Sequence, residues 1–164
     1  MRIEPALHAR LQFLARVVKK EARYLQETDA RLFSDLFITL TIDQVESDPV
    51  LAERLDAFVS RFGRLQDTLA DKFLPALLDA SAEPKGAAVE NLDRAEKLGW
   101  LESVDAWLEM RKLRNQMVHE YIEDLLILSS ALRAGHAFVP VLLQTASCFV
   151  QTAQSRMDAR SSRA

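Results

Sequence analysis

The sequence predicts an all-α protein, an antiparallel bundle of four to five helices forming one domain, and three observations carry that expectation. Leu and Ala make up nearly three tenths of the 164 residues, while Gly and Pro number only 4 and 5, roughly half their usual ~12% share. Apolar residues recur at spacings of three, four and seven along most of the chain, which is the period of an amphipathic helix and not the alternation of a strand. The segments between these stripes are short, so consecutive helices must fold back on one another. All-β and Gly-rich architectures are thereby excluded. The length suits a single core, with the bundle expected over residues 1–155 and a disordered Ser/Arg/Ala tail over 156–164.

The first stripe, Leu7, Leu11, Leu14, Val18 and Leu25, lines one face of a helix with charges opposite. Glu27, Thr28 and Asp29 then offer N-cap side chains for a second stretch, Leu32, Phe33, Leu36, Phe37, Leu40 and Val45, which could equally continue the first helix. Asp48-Pro49 is a stronger start signal. Asp can cap free amides, and Pro at the first helical position has the right φ and lacks an amide that would go unpaired anyway. The long helix that follows carries Leu51, Leu55, Phe58, Phe62, Leu65, Leu69, Phe73 and Leu77, with bends expected at Gly63 and Pro75. Ser81 to Gly86 reads as a linker. A helix from Ala87 to Leu98 is expected to end at Gly99, where a left-handed cap is free of strain. Ser103 and Asp105 open another helix through Trp107, Met110, Leu113, Met117 and Tyr121, and the last runs from about Leu125 to Thr152 with Gly135 and Pro140 inside it. There is no internal repeat.

Composition narrows the function classes. A formal net charge of -3, from 21 basic and 24 acidic residues, argues against a broadly basic polyanion binder but leaves room for a local basic site. The single Cys148 cannot build a disulfide framework within the chain. The apolar N-terminal residues are interrupted by Arg10, Arg16, Lys19 and Lys20, and no stretch approaches ~18 uncharged apolar residues, so neither a leader nor a membrane span is expected. The expected location is the cytoplasm, with no membrane partner. A Gly-rich phosphate loop, a His pair at metal-ligand spacing and a CxxC are all absent, and no metal or other cofactor is expected.

One segment concentrates reactive residue types: Arg111-Lys112-Leu113-Arg114-Asn115-Gln116-Met117-Val118-His119-Glu120-Tyr121. An imidazole can move protons near neutrality, a guanidinium can stabilise charge on phosphoryl oxygens, and an amide can fix a hydroxyl, which together suit phosphodiester chemistry without a metal. At ~100° per residue, Asn115 and His119 share a helix face, whereas Arg114 and His119 point about 140° apart. One helix therefore cannot easily aim both at one phosphate. Two copies meeting at a two-fold axis could place the Arg of one chain beside the His of the other, so a homodimer with a composite cleft is expected.

Arg114, four residues, His119, one residue and Tyr121, with Asn115 directly after the Arg, resembles the signature of the HEPN superfamily in its HepT-like branch. Trp107 upstream and Glu123-Asp124 after the Tyr are also similar to that branch. The specific match spans about Trp107 to Asp124, while the helical pattern agrees over roughly Arg2 to Gln154. The resemblance implies a dimeric helical endoribonuclease toxin that needs no metal, with Arg114 and His119 catalytic and Asn115 assisting. It implies RNA as substrate and a minimal nucleotidyltransferase antitoxin as partner, one that transfers AMP to the Tyr of the motif, so that Tyr121 would be a modification or substrate-positioning residue. Arg111 and Lys112 would then form a basic rim holding RNA. The chain departs from a minimal member of the branch in its extra N-terminal helix and its Ser/Arg tail.

A rival reading makes the same polar helix a docking face of a non-catalytic subunit that binds a nucleotidyltransferase or its substrate. The remaining reactive residues read as structural: His8 and His136 lack polar company at helical spacing, Cys148 reads as a core thiol, and Trp100 and Trp107 as packing anchors.

Overall fold

Pro5 occupies the first turn of helix α1, Pro5–Leu32, whose stripe of Leu11, Leu14, Val18, Leu25 and Leu32 is buried along its whole length. The computed structural model describes residues 3–34, 42–119 and 124–159. Every regular element among them is helical. Glu27, Thr28 and Asp29 do not interrupt α1, because two of these side chains find partners on neighbouring helices and so do not compete for the backbone. Thr28 is buried and takes a hydrogen bond from the Arg61 guanidinium. Asp29 Oδ1 holds His136 Nδ1 at 2.7 Å, and the imidazole stacks on Phe33 with ring centroids 4.2 Å apart. Leu36, Phe37 and Leu40 of the expected second stretch lie outside the described residues, and Val45 falls in a short helix α2, Ile42–Ser47.

Asp48 caps α3, Pro49–Asp67, by accepting from the amides of Val50 and Leu51 at 3.0 and 3.1 Å, with Pro49 in the first turn. The helix runs through Gly63 without a break. At Thr68–Phe73 it widens into a π-helical segment, after which α4, Leu74–Ala80, resumes the ordinary pitch. Pro75 explains the placement. Within an α-helix its ring would press on the carbonyl of Asp71 and leave that carbonyl unpaired. The wider turn re-registers the ladder, so that the Leu74 amide reaches back five residues to the carbonyl of Leu69.

The chain leaves α4 through Ala82, which sits at φ 56° while the Glu83 amide closes on the Leu78 carbonyl at 2.9 Å. Asn91 then pins Gly86 at both its amide and its carbonyl, and Glu90 Oε2 accepts from the Ala87 amide, starting α5, Ala88–Lys97. Gly99 at φ 74° ends that unit as its sequence predicts. Helix α6, Val104–His119, is capped twice, by Ser103 Oγ on the Ala106 amide and by Glu96 Oε2 on the Val104 amide at 2.6 Å. Helix α7, Leu125–Asp158, is capped by Asp124 and carries Pro140 inside it.

The core lies where α1 meets α3 and α7 and where α6 packs on α3 and α7. Trp107, Phe58, Phe62, Phe73 and Phe149 are its largest fully buried side chains. Gly135 makes room on α7, since a Cβ there would meet Met117 Sδ of α6 and Phe58 Cε1 of α3, both at 3.4 Å. Gln66, fully buried, ties α3 to α6 by donating to the Trp107 carbonyl at 3.2 Å.

Three sequence-based expectations need revision. Arg156, Met157 and Asp158, assigned to the tail, belong to α7: Met157 is buried, and Arg156 Nε meets Ser81 Oγ at 3.0 Å. Cys148 is half-buried against the core instead of inside it. Residues 126–158 are also long and apolar enough to cross a membrane by length and composition. The few charges along this stretch, Arg133, Arg156 and Asp158, lie far enough apart to leave such a window. A long core helix meets the same criterion, and Leu128, Leu132, Val139, Leu142 and Phe149 are buried against the other helices.

Candidate functional site

At Gly63 the reactive segment of α6 comes within backbone range of α3. A Cβ on Gly63 would come within 2.6 Å of Arg114 Nε and 3.2 Å of its Cδ, so the Arg114 side chain lies directly across the α3 backbone. One turn further along α3, Asp67 Oδ1 accepts from Arg114 Nη1 at 2.7 Å. One turn beyond that, Asp71 Oδ1 stands 3.5 Å from Arg111 Nη2. The two pairs form a ladder: carboxylates four apart on α3 and its π-helical extension meet guanidiniums three apart on α6. Both pairs are partly exposed, a setting in which ion pairs contribute little to stability, typically 0 to ~1 kcal/mol. Their effect is to orient the guanidiniums.

Beside this ladder opens a groove of about 730 Å³, walled by Ser60, Gly63, Arg64, Asp67, Thr68, Asp71 and Lys72 on one side and by Arg114, Met117 and Val118 on the other. Arg114 keeps 30% of its side chain exposed there, enough to present guanidinium edges to a ligand while one edge stays on Asp67. The π-helical segment supplies Thr68, Asp71 and Lys72 to the wall.

Behind the groove sits Glu21 of α1. Thr68 Oγ1 donates to Glu21 Oε1 at 3.1 Å, and Glu21 Oε2 is buried with no hydrogen-bond partner among the described residues. Burial pushes this carboxyl above its ordinary value of 4.5, against the opposing pull of the Thr68 hydrogen bond and of the Arg64 and Lys72 charges.

The other predicted site residues are dispersed. Arg111 is engaged with Asp71 and is not a free rim cation, while Lys112 and Asn115 are exposed. His119 is exposed at the end of α6, has no hydrogen-bond partner among the described residues, and does not line the groove that holds Arg114. Tyr121 lies outside the described residues. Among the described residues of the predicted site, then, Arg114 alone lines the groove, while Arg111 is held on the neighbouring Asp71. Among the described residues no group of three His, Cys, Asp or Glu side chains is placed to hold a metal ion.

Gly63, Asp67 and Asp71 were legible only as helix positions. A faint signal existed, because they recur every four residues and so share one face of α3, but nothing local says that this face meets an arginine. No family model matches the chain, and neither the curated proteins nor the solved structures contain a significant match to it.

Proposed function

We propose that the protein is a metal-independent endoribonuclease of HEPN-like architecture, a four- to five-helix bundle that acts as a symmetric homodimer in the cytoplasm. The observation that carries the reading is Arg114, laid across Gly63 and oriented by Asp67 at the edge of a groove large enough for a nucleotide. An arginine fixed this way presents its remaining N–H donors to phosphoryl oxygens with little further loss of freedom. In the proposed reaction His119 removes the proton from a ribose 2′-hydroxyl, the 2′-oxygen attacks the adjacent phosphorus, and the bond to the 5′-oxygen breaks, the departing oxygen taking a proton from water. Arg114 stabilises the pentacoordinate phosphorus and Asn115 orients the scissile group. The products are a 2′,3′-cyclic phosphate and a 5′-hydroxyl.

Because Arg114 faces α3 while His119 is exposed at the helix end, the reading requires the His119 of a second copy at each groove. A minimal nucleotidyltransferase antitoxin would silence the enzyme by adding AMP to Tyr121. The test is cleavage of RNA by purified protein in EDTA with analysis of the product ends. Loss of cyclic phosphate product in both Arg114→Ala and His119→Ala supports the proposal. Activity that requires added metal, or that survives in either variant, overturns it.

One observation favours a second reading, a non-catalytic subunit that docks a nucleotidyltransferase. Val118 is 52% exposed beside the motif, and Leu126 and Ile127 are 81% and 41% exposed just beyond it, an apolar border suited to a protein contact. On that reading, expression of the chain alone leaves growth unaffected, and the Arg114 and His119 variants change partner binding without any nuclease to lose.

A further inference from the structure

We propose that Arg64, Thr68 and Lys72 form a phosphate-binding position in the groove, distinct from Arg114, with the Glu21 side chain beneath it as a built-in counter-charge. This deepens the ribonuclease reading by locating where a neighbouring phosphate of the strand is held, and it moves that role from Arg111 and Lys112 to the opposite wall.

The charges around the groove decide the assignment. Asp67 engages Arg114 and Asp71 engages Arg111, so those two guanidiniums already have anionic partners. Among the described residues Arg64 bonds a neutral group, Ser60 Oγ at 3.2 Å. Among the described residues neither Arg64 nor Lys72 has a carboxylate within 4.0 Å. Four-residue spacing sets Arg64, Thr68 and Lys72 along one side of the helix, and all three line the groove. Their common neighbour is Glu21, on which both cations act and to which Thr68 donates.

Glu21 is an incomplete partner. Its Oε2 is buried without a hydrogen bond, so the ionised form is held by Thr68 and by the two cations at longer range. A phosphate drawn to Arg64 and Lys72 competes for the same positive charge, and its approach favours uptake of a proton from solvent by Glu21. The protonated carboxyl can donate to Thr68 Oγ1, which frees the threonine hydroxyl to donate to the phosphate. The charged groups acting on Glu21 are Arg64 from α3 and Lys72 from the π-helical segment, and Asp56, Asp67 and Asp71 are the other carboxylates along the groove. Phosphate binding and protonation of Glu21 are therefore coupled.

The probes are a 2′-O-methyl oligoribonucleotide, which has no 2′-hydroxyl to attack and so reports binding without cleavage, and inorganic pyrophosphate, both titrated against the full chain. Arg64→Gln and Lys72→Gln should each weaken binding roughly tenfold or more, the usual loss for a charged hydrogen-bond partner, while Arg64→Lys keeps most of it. The wild type should bind the oligonucleotide, whose phosphodiesters do not titrate in this range, more tightly at about pH 5 than at about pH 7.5, and Glu21→Gln should bind it tightly at both and lose most of that dependence. Melting curves for each variant separate a lost site from a lost fold, and Arg64→Lys keeps the question open to measurement if Arg64→Gln is unstable. Unchanged affinity in the Arg64 and Lys72 variants, or full pH dependence in Glu21→Gln, overturns the proposal. Pyrophosphate binding without oligonucleotide binding keeps the phosphate position and removes RNA as its ligand. Intact binding in a protein with no nuclease activity keeps the position and removes the catalytic reading.

Discussion

At the residue scale, Gly63 and Glu21 bear on the groove from outside the Arg-Asn-His-Tyr segment, Gly63 by letting Arg114 pass across α3 and Glu21 by bonding Thr68 of the wall. Gly63 lies in mid-helix, where Gly costs roughly 1 kcal/mol relative to Ala, and the close passage of Arg114 supplies a reason for that cost. Gly63→Ala should leave stability within about 1 kcal/mol of wild type, the helix gain offsetting the displaced ion pair. On the proposed ribonuclease reading it should also lower RNA cleavage, because the added Cβ displaces the Arg114 side chain from its present path across α3; thermal melts and initial rates measured on the same sample check both halves. Glu21 gives a pH-dependent expectation whose sign is fixed by its environment. Its carboxyl is raised above 4.5 by burial, so the folded state holds the proton more tightly than the unfolded chain. The stabilisation from this proton is complete below the unfolded value and is lost as pH rises through the folded value. Glu21→Gln should therefore melt higher than wild type at neutral pH, with the difference shrinking toward zero below about pH 4. A constant difference across that range would contradict the assignment.

At the element scale, the helix starts and stops were largely legible, and the failures share a physical cause. Asp48-Pro49 and Gly99 act as local rules say they should, because capping is a transaction between neighbours in sequence. Of the two readings open at Thr28 and Asp29, cap or continued helix, α1 takes the second, with Arg61 and His136 reaching these side chains from other helices. Pro75 was read as a bend and is accommodated by a π-helical turn whose consequence is to aim Thr68, Asp71 and Lys72 into the groove. The exit from α4 carries a testable strain. Ala82 adopts φ 56°, a conformation that costs an L-residue about 1 kcal/mol or more and Gly nothing. Ala82→Gly should raise unfolding free energy by about 0.5–1 kcal/mol in urea melts, and on the proposed ribonuclease reading it should leave cleavage unchanged, since the turn lies outside the groove walls.

At the scale of the whole molecule, the question is how residues about 140° apart on one helix could act on one phosphate. If the active unit is a dimer with composite sites, mixing inactive Arg114→Ala and inactive His119→Ala proteins should restore activity. Random exchange of subunits makes half of the dimers mixed, each with one intact site of two, so recovery should approach about a quarter of wild type. No recovery after subunit exchange, verified by a tagged chain, would place both residues in one protomer and refute the shared cleft.

What the sequence determined by itself was the all-helical class, most helix boundaries, and the short list of reactive residues on α6, because periodicity, capping and residue chemistry are local properties. Only the tertiary structure decided which of those residues face a groove. It placed Arg114 over Gly63 and against Asp67, committed Arg111 to Asp71, left His119 exposed, and brought Glu21 of α1 behind Arg64, Thr68 and Lys72. Those pairings join positions forty or more residues apart in the chain. Their geometry depends on how helix faces pack against each other, which no window of sequence contains.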